Sequence, residues 1–391
     1  MWLLIVVACL TQATASSEEF IREERNVNPE IFMNVSQMIS HRGYPSEEYE
    51  VLTDDGYYLT VNRIPCGKIN DKIKDPKPVV FLQHGLFGDS SHWVTNFANN
   101  ILGFILADAG YDVWMGNNRG TSFSRRHQKF SVDQEEFWDF SFQEMAKYDL
   151  PAMIFFILQK TGQKQLHYVG YSQGCTIAFI AFSSMPKLAQ RIKMLFALAP
   201  VVSTKHSKSP AVKLLLFPDK IIKVWGYSLF CDYDYLLFLK ICSYELMKRA
   251  CTMILFLMGG FNEKNLNMSQ VDVYAERFPE GTSVKNIRHW GQVGKSGEFK
   301  HFDYGSENEA KYNQSFPPLY NTEDMTVPTA AWSGGADWVA DKEDTEIFLP
   351  RITQLFYYQH FPDWNHWDFI WGLDAPQRLY SKIIGLMEKY P

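Results

Sequence analysis

The chain has 391 residues, 46% of them hydrophobic and 21% charged, enough apolar sequence to bury a sizeable core, which excludes a disordered or fibrous chain. The net charge of -6 contains no basic run, so the footprint that neutralises phosphates is absent and no nucleic-acid partner is expected. Aromatic residues at 15% suit an ordinary core, and equally a protein with an apolar substrate under an apolar cover.

Residues 1–15, MWLLIVVACLTQATA, form an apolar stretch from Trp2 to Leu10 followed by small and polar residues ending Ala13-Thr14-Ala15. This is the pattern of a signal peptide, although no Lys or Arg stands at its start. The run is shorter than the roughly 18 apolar residues of a membrane anchor, and no later segment reaches that length without a charge or proline. A soluble secreted protein without a transmembrane anchor is therefore expected, with lysosomal residence the alternative. Removal of Cys9 leaves Cys66, Cys175, Cys231, Cys242 and Cys251, an odd set in an oxidising compartment. Cys242 and Cys251 lie close in sequence and are the natural pair, whereas Cys175 reads as a small buried thiol among Gly174, Thr176, Ile177 and Ala178. Asn-x-Ser/Thr sequons make Asn34, Asn267 and Asn313 candidate glycosylation sites.

Along the first half, extended apolar runs alternate with helical ones, the pattern of a mostly parallel sheet with helices on both faces. Strands are predicted at 79–83, 112–115, 166–169 and 193–198, with an amphipathic helix at 149–160 whose Pro151 suits a first turn. From about residue 203 to 321 the pattern loosens, and strands return at 327–332 and 355–360. The reading is an α/β-hydrolase core of residues 16–202 and 322–391 interrupted by a largely helical cap, 203–321. Within the cap, about 230–259 holds the runs Leu236-Leu237-Phe238-Leu239 and Ile254-Leu255-Phe256-Leu257-Met258, denser in apolar residues than a solvated loop should be. A movable lid is expected there, and an ordinary buried helical hairpin is the alternative.

The chemistry centres on Gly170-Tyr171-Ser172-Gln173-Gly174, the G-x-S-x-G form of a nucleophile elbow, between a predicted strand and a small-residue helix. A serine hydroxyl needs a base, and that base a carboxylate to orient it. In this fold the order is Ser, acid, His. Of the later histidines, His206, His289 and His301 fall in the insertion and His360 ends a strand. His366, in the loop after it, is the candidate base, with a structural histidine the alternative. Asp337 is the first carboxylate after the strand 327–332 and the candidate acid. Asp341, Glu343 and Asp344 look like the start of a helix, and Asp368 like a local backbone brace. The tetrahedral intermediate needs two N–H donors, assigned to Gln173 and to Leu86 in His84-Gly85-Leu86-Phe87-Gly88, with His84 bracing that loop. No metal or cofactor is expected.

Taken together, the chain closely resembles the vertebrate acid lipase family of gastric, lingual and lysosomal acid lipases. The matches run nearly end to end: Asn28-Pro29-Glu30, Asp54-Asp55-Gly56-Tyr57, Leu82-Gln83-His84-Gly85-Leu86, Asp108 to Trp114, Ala146 to Pro151, Leu266-Asn267, Gly281 to Val284, Pro317 to Asn321 and Asn365-His366. The resemblance implies Ser172, Asp337 and His366 as triad, Leu86 and Gln173 as oxyanion donors, and Cys242 with Cys251 as a disulfide. One departure stands beside the nucleophile, where Tyr171 replaces the histidine of the family's usual G-H-S-Q-G. Expected substrates are lipid esters at a lipid–water interface, acylglycerols first and cholesteryl esters next. A lipid-binding protein with an idle hydrolase fold and an amide hydrolase are the competing classes.

Overall fold

Why a sheet forms is visible strand by strand: short β-branched and aromatic runs closed by Gly, Asn and Asp turns. A computed structural model describes residues 28–68, 77–214 and 245–390. The expected signal peptide, Cys231, Cys242 and the lid run 236–239 lie outside them. Nine strands appear among the described residues: β1 (Glu47–Leu52), β2 (Tyr57–Ile64), β3 (Val79–Gln83), β4 (Asp112–Gly116), β5 (Arg126–His127), β6 (Leu166–Tyr171), β7 (Ile192–Leu198), β8 (Thr329–Gly334) and β9 (Leu355–Phe361).

They join in one sheet of order β1-β2-β4-β3-β6-β7-β8-β9, with β5 beside β2. Pairings of β2 with β1, β4 and β5 are antiparallel, and those from β4 to β9 are parallel. Every residue of β3, β4, β6 and β8 is buried, so both faces of the central sheet are covered, as continuous apolar runs demand. The predicted strands correspond to β3, β4 and β6 to β9. Those missed, β1, β2 and β5, belong to the antiparallel edge, where charged residues such as Glu47, Glu48 and Glu50 dilute the apolar signal.

The chain leaves β3 to form β4 on one side and returns to form β6 on the other. Ligands of open α/β sheets bind at such a switch, beyond the carboxyl ends of the strands. Helix α1 (Leu150–Thr161) begins with Pro151 in its first turn, as predicted, and α2 (Gln173–Ser184) follows β6 directly. The insertion between β7 and β8 carries α3 (Glu245–Gly259) and α4 (Val284–Ser296). In α3 the apolar run divides by face: Cys251, Leu255 and Phe256 are buried, while Met253, Ile254 and Leu257 are 50%, 46% and 37% exposed.

Charge inside the fold is paired. Arg119 is 1% exposed, donates to Asp55 at 2.7 and 2.8 Å and to Asp149 at 2.7 Å, and so joins the β1–β2 turn, the loop after β4 and the start of α1. A lone guanidinium there would be strongly destabilising.

Other buried groups titrate in opposing directions. Burial lowers His92, His167 and His289 to about 3 and His84 and His301 to about 4. These rings stay neutral when folded but take protons when unfolded, so stability is lost as pH falls from about 6.5 toward those values. Burial raises Asp89, Glu276 and Asp368 to about 7. They stay protonated when folded but ionise when unfolded, so stability is gained as pH falls from about 7 toward 4. The two sets offset each other. The melting temperature is therefore expected to change little between about pH 4.5 and 6.5. Asp89→Asn removes one member of the carboxyl set, and its melting temperature should fall on acidification by more than that of the unmodified protein. Differential scanning calorimetry at several pH values measures both slopes.

Candidate active site

The turn after β6 carries Ser172 at φ 53°, ψ -118°, a region that a non-glycine residue enters only under strain. Its flanks explain the two glycines of the motif. A methyl group on Gly170 would sit 2.8 Å from the Gly174 backbone, and one on Gly174 would sit 2.4 Å from Gln83 O. Strand, turn and helix can close this tightly only with hydrogen atoms at both positions. The serine is 5% exposed, and its own N–H donates to Leu198 O at 2.9 Å.

His366 and Asp337 arrive from the ends of β9 and β8. Ser172 Oγ lies 3.0 Å from His366 Nε2, and His366 Nδ1 lies 2.8 Å from Asp337 Oδ2. The other oxygen, Asp337 Oδ1, accepts the Val339 and Ala340 N–H groups, both at 2.8 Å, so the fully buried carboxylate is satisfied on both sides. The two loops are stitched together by Ala336 N–H donating to Trp364 O at 2.9 Å and Gly335 N–H to Phe361 O at 2.8 Å. The structure thus brings together the three residues predicted from sequence.

The remaining acids stand apart from this line. Asp341 accepts Glu343 N–H at the start of a helix, Lys342–Phe348, and Asp344 accepts from His206. Asp368 accepts Asn365 N–H at 2.6 Å and the amides of Asn262 and Asn265 at 2.9 Å each, the backbone brace expected of it. His360 shares a hydrogen bond of 2.8 Å with Ser333.

Opposite the serine lies the loop after β3. A methyl on Gly85 would fall 2.8 Å from Ser172 Cβ and 3.3 Å from Oγ, so the loop backbone rests directly on the nucleophile. Its orientation is set by His84, whose Nε2 accepts Asn118 N–H at 3.1 Å, leaving Nδ1–H to donate to Gly85 O at 2.8 Å. The Gly85 carbonyl and Leu86 N–H belong to one planar trans peptide, so holding the carbonyl aims the N–H the other way. Neither Leu86 nor Gln173 N–H meets an acceptor among the described residues. The Gln173 side chain is tied down by Asn286 at 3.0 Å and Trp290 at 2.8 Å, both on α4.

Two supporting features escaped the sequence reading. Gly259 O, at the end of α3, accepts both His366 N–H at 3.0 Å and Trp338 N–H at 3.3 Å, so the insertion grips the His366 and Asp337 loops together. Asn365 Oδ1 accepts Trp367 and Asp368 N–H while its Nδ2 donates to Gly260 O at 2.9 Å. The Gly259-Gly260 pair closing an apolar run is a helix-stop signal, and Asn365 a turn residue; both were legible as local structure but not as partners of the base.

Of the candidate modification sites, Asn34 and Asn313 are exposed, whereas Asn267 is 9% exposed with Nδ2 donating to Asn96 at 3.1 Å. Cys251 is disulfide-bonded, its partner lying outside the described residues, and Cys175 is a buried thiol. No helix among the described residues is long and apolar enough to cross a membrane.

Comparison with known proteins places this geometry. A family model described as a partial alpha/beta-hydrolase lipase region matches residues 35–97, and one described as the alpha/beta hydrolase fold matches residues 78–373. The chain is 58% identical to a lysosomal acid lipase/cholesteryl ester hydrolase of Macaca fascicularis, over 100% of this chain and 99% of that one. It is 53% identical to lipase member M of Mus musculus, over 100% of this chain and 94% of that one. Among solved structures an epoxide hydrolase from Vigna radiata aligns with TM-score 0.53 at 14% identity, covering 88% of this chain and 99% of that one, a likeness of fold alone. On these matches the chain belongs to the vertebrate acid lipase family of α/β-hydrolases and is a lipase-like carboxylic ester hydrolase.

Proposed function

We propose that this chain hydrolyses lipid esters, acylglycerols foremost, by a Ser172-His366-Asp337 triad through an acyl-enzyme. The observation that carries the reading is the line of hydrogen bonds of 2.8 and 3.0 Å running from a buried carboxylate to a serine held on a strained turn. Ser172 Oγ attacks the ester carbonyl as His366 Nε2 takes its proton. The alkoxide leaves with that proton, and water, deprotonated by the same imidazole, releases the fatty acid. Asp337 keeps Nδ1–H in place, so Nε2 is the free base, and stabilises the imidazolium. Leu86 and Gln173 N–H groups, which meet no acceptor among the described residues, receive the oxyanion. The likeness to a lysosomal acid lipase/cholesteryl ester hydrolase favours cholesteryl esters as a second substrate class and lysosomal as well as secreted residence. Glycans at Asn34 and Asn313 and a disulfide from Cys251 to Cys242 belong to the same reading.

The exposed face of α3, Met253, Ile254 and Leu257, supports a lid over the site that meets lipid with its outer side. Leu255 and Phe256 of the same run are buried, at 5% and 3% exposure.

Three outcomes test these assignments. Ser172→Ala should lower ester turnover by about a thousandfold or more without loss of fold, and Asp337→Asn by orders of magnitude, with Asp341→Asn nearly neutral. A folded Ser172→Ala protein with substantial turnover overturns the reading. Gly85→Ala should lower kcat about a hundredfold, because the added methyl pushes the loop off the nucleophile, and a wild-type kcat would remove Leu86 from the oxyanion site. Met253, Ile254 and Leu257 changed to Ser together should abolish the rise in rate when a short ester passes its solubility limit, while cleavage of dissolved ester persists.

A further inference from the structure

We propose that Tyr171 is a positioning residue for the base, its phenol locking the His366 backbone to the strand that carries the nucleophile. The inference rests on the triad reading above and deepens it. Tyr171 is 2% exposed and occupies the last position of β6, immediately before Ser172. Its hydroxyl lies 3.0 Å from His366 O, and since a carbonyl only accepts, the phenol donates. The tyrosine ring stands 5.0 Å from the imidazole at an interplanar angle of 39°. On its other side, a methyl on Gly85 would come within 3.2 Å of Tyr171 Cδ1. One side chain therefore touches the base and the oxyanion loop, and is bonded through the backbone to the nucleophile.

The direction of each restraint on His366 makes this contact distinctive. Its N–H donates to Gly259 O at 3.0 Å, a partner on the cap. The next N–H, of Trp367, donates to Asn365 Oδ1 at 2.9 Å, a partner within the same loop that moves with it. Of these three hydrogen bonds, only that from Tyr171 comes from the sheet. Beside the bond from its ring to Asp337, on the loop after β8, the phenol ties the His366 backbone to β6, the strand that precedes Ser172.

Among the described residues the phenol hydroxyl makes no hydrogen bond other than that to His366 O. His92, the other polar ring against it at 6.1 Å, has neither nitrogen hydrogen-bonded. Burial, with the charge of Asp337 adding to it, holds the Tyr171 hydroxyl well above the usual phenol range, so it donates at every working pH.

The test compares the full chain with Tyr171→Phe, with the same position carrying 4-aminophenylalanine, and with Ser172→Ala, on a dissolved p-nitrophenyl ester and a serine-directed phosphonate. Tyr171→Phe keeps the ring and is expected to melt within a few degrees of the unmodified protein. Its kcat should fall about tenfold to a hundredfold with KM within about twofold, and phosphonate labelling should slow in the same proportion. The 4-amino group restores a donor and should recover much of the loss. If the unmodified protein is not labelled at Ser172, or Ser172→Ala turns over, the triad reading fails and this inference with it. If both behave as a triad requires while Tyr171→Phe keeps the unmodified kcat and labelling rate, the inference alone is overturned. It is also overturned if the 4-amino variant is no faster than Tyr171→Phe, or if melting temperature and KM deteriorate together with kcat, since both describe packing and not positioning.

Discussion

The rest of the site depends on one backbone constraint, the left-handed turn at Ser172. A non-glycine residue at φ 53° stores about 1–3 kcal/mol of strain and persists only where the surroundings leave no alternative. Here β6 enters from one side, α2 leaves from the other, and Gln83 O and the Gly85 backbone close over the turn. Relaxing φ would drive the start of α2 into β3. The strain is thus held by contacts of the sheet itself, and its consequence is a hydroxyl raised clear of its own strand, within reach of an imidazole.

Around that turn, position is controlled by pairs of backbone groups more than by side-chain charge. His84 fixes Gly85 O and so aims Leu86 N–H, and Gly259 O collects the N–H groups of His366 and Trp338. Each relation uses the rigidity of the trans peptide, in which holding one polar atom orients its neighbour. Because Gly259 ends α3, one hydrogen bond joins His366 to the helix that carries the exposed apolar face, and Tyr171 joins it to the sheet.

The buried titratable groups tell a related story about the medium. Neutral rings such as His92 and His289 resist acid, and protonated carboxyls such as Asp89 and Asp368 favour it. A fold with only the first set would weaken steadily as pH fell; holding both keeps the stability curve shallow on the acid side.

Much of this was legible in the chain itself. The elbow, the strands β3, β4 and β6 to β9, the first turn of α1 at Pro151, and the order Ser172, Asp337, His366 follow from short apolar runs, turn residues and a motif whose glycines have only one steric use. Local patterns sufficed there because each depends on neighbours in sequence. They did not suffice for the edge strands, whose alternation is diluted by charge. Nor could they show that Tyr171 reaches His366, 195 positions away, or that Gly259, in the insertion, accepts the His366 N–H. The residue types and spacings determined the fold class and the reacting groups; which backbone atoms hold those groups in line was decided by tertiary structure, because a hydrogen bond between distant segments leaves no periodicity in either one.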